Sequence, residues 1–207
     1  MTIDVVQHGG NMVPGNIAFY YDFTSPESYL GLERFAKTIA AFAPELTPVR
    51  EADLDPFPQP EDAPRRANLE ELAASRDVLP FVWPEGFPDL DTTDAVTVAT
   101  YAKSIGKAAV FSLSLFRQIY AGGRDPSDIT TIYLAAAASE IHPRAVDQAL
   151  SRDKPAADAD AATEAARAAG IVSVPTLRIG QRLLVGPALL EDAAGVLKQA
   201  LEAGSSE

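Results

Sequence analysis

The clearest pattern in the chain is a run of apolar, aromatic and β-branched residues of strand length, NIAFYYDF at 16–23, closed by Thr24-Ser25-Pro26. A helix start follows it. Ser25 suits an N-cap, and Pro26 suits the first helical position, where its missing N–H loses nothing. Leu30, Phe35, Ile39 and Phe42 then recur at roughly helical spacing until Pro44 stops the helix. LTPVREADL at 46–54 reads as a second strand, with Pro48 favouring a sheet edge. Strand, helix and strand in this order predict a parallel pair joined by a right-handed crossover.

Next comes a proline-rich loop from Asp55 to Pro64, a short helix over 65–78 and an aromatic loop, LPFVWPEGFPDLD, at 79–91. Helical patterns cover 92–105, 107–121, 127–140 and 143–151. An Ala-rich helix at 156–169 is closed by Gly170. The character then changes again. IVSVPTLRIG (171–180) and QRLLV are β-rich runs about Gly180-Gln181, a hairpin signal. A last amphipathic helix is expected from Pro187 to Leu201. The predicted organisation is a disordered leader at 1–15, one sheet-bearing domain from 16–60 and 170–203, and a helical insertion at 61–169.

Composition narrows the chemistry more than the fold. The 207 residues can bury one core with an insertion, and 47% hydrophobic with 22% charged residues is ordinary for a globular protein. No apolar run reaches the roughly 18 residues of a membrane span, and the first residues lack a signal peptide's basic flank. A cytoplasmic protein is expected. A net charge of −12 argues against nucleic-acid and anionic-membrane partners, leaving a small molecule as the expected partner. Zero cysteines exclude disulfides, thiolate catalysis by the chain itself and Cys-ligated metals. His8 and His142 are the only histidines, and His142 before Pro143 reads as a helix cap, so no metal site is expected. Chemistry is left to hydroxyls, backbone dipoles or a borrowed cofactor.

Specific runs then carry a family resemblance. Phe19-Tyr20-Tyr21-Asp22-Phe23-Thr24-Ser25-Pro26-Glu27-Ser28-Tyr29-Leu30 resembles the opening of 2-hydroxychromene-2-carboxylate isomerases and kappa-class glutathione transferases. Ala169 to Leu177, AGIVSVPTL, resembles their Gly-Val-x-x-Val-Pro-Thr segment. Leu79 to Pro84, Phe87-Pro88 and Tyr120 to Asp125 match between them in order. The resemblance implies a thioredoxin-like α/β fold of the DsbA type, β-α-β and β-β-α, interrupted by a large all-helical insertion. It implies a cis bond at Val174-Pro175, where the residues alone leave a trans proline opening a strand equally open. It also implies that Ser25 hydrogen-bonds a bound thiol, with Val174, Pro175 and Gly186 completing a cofactor site. The cofactor would be glutathione or another low-molecular-weight thiol.

The physics of that assignment is sound. A helix N-terminus stabilises an anion such as a thiolate, and a serine hydroxyl can donate to it without becoming the nucleophile. Simple capping by Ser25 is the competing role, and the two are compatible. The implied reaction is reversible conjugate addition of the thiol to an unsaturated, aromatic or polyketide-like substrate, with bond rotation and elimination. The chain departs from the family at three places. Gly186-Pro187-Ala188 lacks the acidic residue expected to hold the cofactor's amino group, with Glu191 or Asp192 as a substitute. Asp91 stands where an asparagine is common and would repel an acidic substrate. Glu27 stands where an aromatic is frequent. Tyr21, Trp83 and Asp91 are candidates for a substrate pocket, although for Trp83, with Phe81 and Phe87, packing of the insertion onto the sheet-bearing domain is the favoured reading. The alternative function is a non-catalytic or thiol-independent small-molecule-binding protein; a dithiol oxidoreductase is excluded. The resemblance also allows a homodimer.

Overall fold

The computed structural model describes residues 5–8, 11–14, 17–38, 42–54 and 63–186, with Leu189, Ala193 and Gly195 beyond them. The first elements are β1 (Val5–His8) and β2 (Asn11–Pro14), an antiparallel pair with Val5 opposite Pro14. A disordered leader was expected over 1–15. Within that segment Val5–His8 and Asn11–Pro14 pair instead as antiparallel strands, His8 opposite Asn11. This pair is a sheet of its own.

The main sheet has four strands: β3 (Ile17–Tyr21), β4 (Glu45–Pro48), β5 (Thr176–Ile179) and β6 (Arg182–Val185), in the order β4-β3-β5-β6. β3 and β4 pair in parallel, Phe19 opposite Leu46, across the helix α1 (Pro26–Thr38). β5 returns antiparallel to β3, Phe19 opposite Leu177, and β6 completes the hairpin. β4 lies at an edge, as Pro48 requires. It is shorter than the strand expected over 46–54, because the chain turns after Pro48 into a 3-10 helix, Glu51–Leu54. The helix expected over Pro187 to Leu201 lies outside the described residues except at Leu189, Ala193 and Gly195, which are helical; Leu189 and Ala193 are buried.

Between β4 and β5 run α2 (Ala63–Ser75), α3 (Thr93–Ser104), α4 (Ala108–Tyr120), α5 (Ile129–Ala138), α6 (Pro143–Ser151) and α7 (Asp153–Ala168). α7 begins before the expected 156 because Asp153 supplies an acidic first turn, which the helix dipole favours. Gly170 follows α7 at φ 82, the left-handed position a C-terminal glycine takes without strain. His142 caps α6, its ring nitrogen accepting the Arg144 N–H at 3.1 Å.

All five residues of β3 are buried, and they alternate between two cores. Ile17, Phe19 and Tyr21 enter the larger one with Leu30 and Phe35 of α1 and Phe111, Leu115 and Phe116 of α4. Ala18 and Tyr20 face the smaller one with Val49, Leu54, Ala166, Ile171 and Val174. The α4 helix thus packs directly on the sheet and α1. Burying Phe19, Phe111 and Phe116 completely is worth roughly 2 kcal/mol each in transfer free energy, with ring contacts such as Phe23–Phe116 at 4.8 Å adding to it. Because β3 is clamped on both faces, the turn that follows it, Asp22 to Ser25, starts from a fixed place.

Candidate functional site

Ser25 sits where β3 hands over to α1. It is 3% exposed, and its Oγ accepts the Ser28 N–H at 3.0 Å, an N-cap bond. The hydroxyl proton is weakly committed. Its acceptors are Glu27 Oε2 at 3.4 Å and the Val174 carbonyl at 3.5 Å, both at the limit of a hydrogen bond. Such a proton remains available to a better acceptor. The capping role and the donor role expected of Ser25 are therefore both geometrically open.

Opposite Ser25, the Val174-Pro175 bond is cis, as the resemblance implied. Phe87-Pro88 is also cis, which was not expected. Gly186, at φ 94, closes the far side, its N–H donating to the Pro175 carbonyl at 3.3 Å. Ser25, Val174, Pro175 and Gly186 line one cavity of about 100 Å³. Four of the expected site residues thus come together. The cavity is too small for a whole tripeptide beside an aromatic substrate, since drug-sized ligands occupy roughly 300–1,000 Å³.

Ser173 and Val185 complete the wall with three charged residues, Glu27, Glu51 and Arg65, of which Glu51 and Arg65 were missed from sequence. Glu51, from the 3-10 helix, accepts the Val174 N–H on Oε1 at 3.2 Å and the Thr24 hydroxyl on Oε2 at 3.3 Å. Burial pushes its carboxyl up to about 7; the Val174 hydrogen bond opposes this and nearby Asp22 adds to it. Glu27, in the first turn of α1, is held by Arg65 of α2, with Nη2 at 2.9 and 3.0 Å from its two oxygens. Arg65 also lines the cavity. The pair leaves little net charge there. The acidity of Glu27 was legible; its neutralisation by a residue 38 positions on was not.

Behind the cavity Asp22, 2% exposed, ties the elements together. It accepts the Phe23 N–H at 2.6 Å and the Thr92 hydroxyl at 2.7 Å on Oδ1, and the Glu51 N–H at 2.8 Å on Oδ2. Burial raises its pKa, and the Glu51, Thr92, Phe23 and Thr24 hydrogen bonds lower it. Asp22 thus fixes where Glu51 starts. The signal available in sequence was a carboxylate ending an otherwise apolar strand.

The three substrate-pocket candidates lie elsewhere. Tyr21 is fully buried, its hydroxyl 2.6 Å from Ser112 Oγ, because it sits on the β3 face that meets α4. Trp83 stacks on Phe81 at 4.7 Å, lies under Arg66 and donates Nε1–H to Glu70, so it packs the aromatic loop onto α2. Asp91 is exposed and accepts the Thr93 N–H at the start of α3, a bond that lowers its pKa. None of the three lines the Ser25 cavity. Glu191 and Asp192 lie outside the described residues. Among the described residues there is no group of His, Asp or Glu placed to hold a metal ion, and no helix is long and apolar enough to cross a membrane.

A strand-to-helix serine facing a cis proline across a four-stranded sheet, with helices inserted between its halves, matches a known domain. The family model of the DSBA-like thioredoxin domain matches residues 16–198. The chain belongs to that family. Its fold is thioredoxin-like, α/β, with the helices α2 to α7 interrupting the sheet. A solved 2-hydroxychromene-2-carboxylate isomerase is similar at a TM-score of 0.81 and 19% identity, over 92% of this chain and 98% of that one. A probable DsbA oxidoreductase from Streptomyces coelicolor follows at 0.68 and 20% identity, over 89% of each chain. A protein from Nitrosomonas europaea, described as a protein disulfide isomerase, reaches 0.61 at 16% identity over 89% of this chain and 98% of its own. These likenesses speak to the fold. No curated protein matches the chain.

Proposed function

We propose that this DSBA-like protein is a thiol-dependent isomerase or glutathione-transferase-like enzyme, acting on an unsaturated small molecule by reversible conjugate addition. The observation that supports this reading best is Ser25. Its hydroxyl stands at the N-terminus of α1, in one cavity with cis Pro175, and its proton has no strong internal acceptor. Two cysteines in C-x-x-C spacing at such a helix start would make a redox pair. Here Ser25 and Ser28 hold that spacing, so the thiol has to come from outside. A cavity of about 100 Å³ takes the thiol-bearing end of a low-molecular-weight thiol such as glutathione, the rest lying across the cavity mouth.

The test is a thermal-shift screen with glutathione, mycothiol and their S-methyl derivatives. A ligand at about 100 times its Kd adds about 2.7 kcal/mol, a rise of roughly 5–10 °C for a chain of this size. The expected result is a shift that needs the free thiol and shrinks in Ser25→Ala. No shift with any thiol would overturn the reading. A second reading, a thiol-independent small-molecule-binding protein, is favoured by one observation: Glu51 already occupies the Val174 N–H. It predicts equal shifts with free and S-methylated ligands.

A further inference from the structure

We propose that Glu51 is the catalytic base that takes the proton of a thiol bound beside Ser25, and the acid that returns it to the substrate carbon; this rests on the thiol-dependent reading above.

The geometry begins at Val174. Its carbonyl faces the Ser25 hydroxyl at 3.5 Å, and its N–H is held by Glu51 Oε1 at 3.2 Å. Hydroxyl and carboxylate are thus placed within the span of one residue, and both line the same cavity. A sulfur that accepts from Ser25 Oγ lies in the space that Glu51 borders. Glu51 is fixed there from two sides: Thr24 donates to Oε2, and the Glu51 N–H is anchored on Asp22.

The charged groups around it set the direction of transfer. Asp22 behind it and Glu27 across the cavity are both acidic, and each makes ionised Glu51 less favourable. Arg65 is engaged by Glu27 in a two-pronged pair, so its charge is directed there. The N-terminus of α1 points at the sulfur position and stabilises a thiolate. Moving the proton from sulfur to Glu51 therefore takes negative charge away from buried Asp22 to the N-terminus of α1, where Arg65 balances Glu27. The raised pKa of Glu51 puts its proton affinity close to that of a thiol so stabilised.

The steps balance. The S–H bond breaks, its electron pair stays on sulfur, and the proton goes to the Glu51 carboxylate. The thiolate forms a C–S bond at the β-carbon of the unsaturated carbonyl compound, and the π pair moves to the α-carbon, which takes the proton from Glu51. After rotation the same steps run backwards, leaving thiol and Glu51 as they began, with no net redox change. Protonated Glu51 keeps one oxygen for the Val174 N–H, so the wall of the cavity stays in place.

The experiment counts protons. Glutathione binding is measured calorimetrically at about pH 8, where the free thiol is mostly protonated, in two buffers of different ionisation enthalpy. Wild type is expected to release clearly less than one proton per thiol bound while the bound sulfur shows thiolate absorbance, because the new negative charge on sulfur raises the Glu51 carboxyl further than it stands in the empty cavity and keeps part of the proton there. Glu51→Gln keeps an acceptor for Val174 but cannot take the proton, and is expected to release nearly one proton per thiol bound. S-methylglutathione should release none with either protein. Equal proton release by wild type and Glu51→Gln overturns the role of Glu51 and leaves the thiol reading standing. So does a bound sulfur in wild type without thiolate absorbance. Failure of every thiol to bind overturns both.

Discussion

Glu51 should make the protein less stable as pH rises, the reverse of the usual behaviour of a carboxylate. A salt-bridged carboxylate has a depressed pKa and stabilises the fold above it. Glu51 is raised from its ordinary 4.5 to about 7 by burial. The folded state then holds the proton more tightly than the unfolded chain. Relative to low pH, where Glu51 is neutral in both states, stability falls from about pH 4.5 and levels off above about pH 7. At about 1.4 kcal/mol per pH unit, a rise of that size corresponds to about 3 kcal/mol. Asp22 is raised in the same sense and adds to the slope, so wild type alone does not isolate Glu51. Glu51→Gln does. It conserves the acceptor for the Val174 N–H and cannot ionise. Urea unfolding from about pH 4.5 to 8.5 is the assay, with the two proteins compared at each pH. They should be nearly equal at the acidic end, and the variant should gain up to about 3 kcal/mol at the basic end. A difference that is flat with pH, or that favours wild type more as pH rises, would refute a buried, proton-holding Glu51.

Two further substitutions probe what holds the site in place. Phe116→Ala empties a fully buried ring that touches Tyr21, Phe23, Tyr29 and Tyr120, and should lose about 3–5 kcal/mol in urea unfolding. Tyr120→Phe removes the hydroxyl that donates to the buried Phe23 carbonyl at 2.9 Å, leaving that carbonyl without its donor. A loss of about 1–3 kcal/mol is expected in the same assay, with ligand-induced thermal shifts unchanged, since Tyr120 does not line the cavity.

What could be read from sequence follows the range of the forces involved. The β3–α1 junction was legible because apolar runs, an N-cap serine and an N1 proline act over a few residues, and the structure places each as expected. The strand over 46–54 was overextended for a reason that is also physical. Its residues alternate well enough, but the bond from Glu51 N–H to Asp22 bends the chain after Pro48, and the partner lies 29 positions away. The same distance hid Glu51 as a site residue. The aromatic loop misled differently: Trp83 carries the same amphipathic ring whether it lines a pocket or seals α2, and only the Glu70 and Arg66 contacts decide. Tyr21 was misplaced by face. In a strand buried on both sides, alternation assigns no residue to a cavity, and Tyr21 fell on the side that meets Ser112.

One residue links these outcomes. Asp22 is the last polar position before the Ser25 turn, and its two oxygens serve the turn itself, the start of α3 through Thr92, and the 3-10 helix through Glu51. The carboxylate that shapes the site therefore also anchors the helical insertion to it. Burying an acid is unfavourable unless its lone pairs are filled, and here they are filled by groups from three separate segments. Each of those donors would be left unpaired if Asp22 were removed, so the position of Glu51 relative to Val174 depends on the seat of α3 as much as on β4. A displacement at the start of α3 would be felt first at the Glu51–Val174 bond, because Thr92 and Glu51 are held by the two oxygens of one carboxylate. Of the helices inserted between the halves of the sheet, α2 thus lines the cavity through Arg65, and α3 sets its geometry from behind through Thr92.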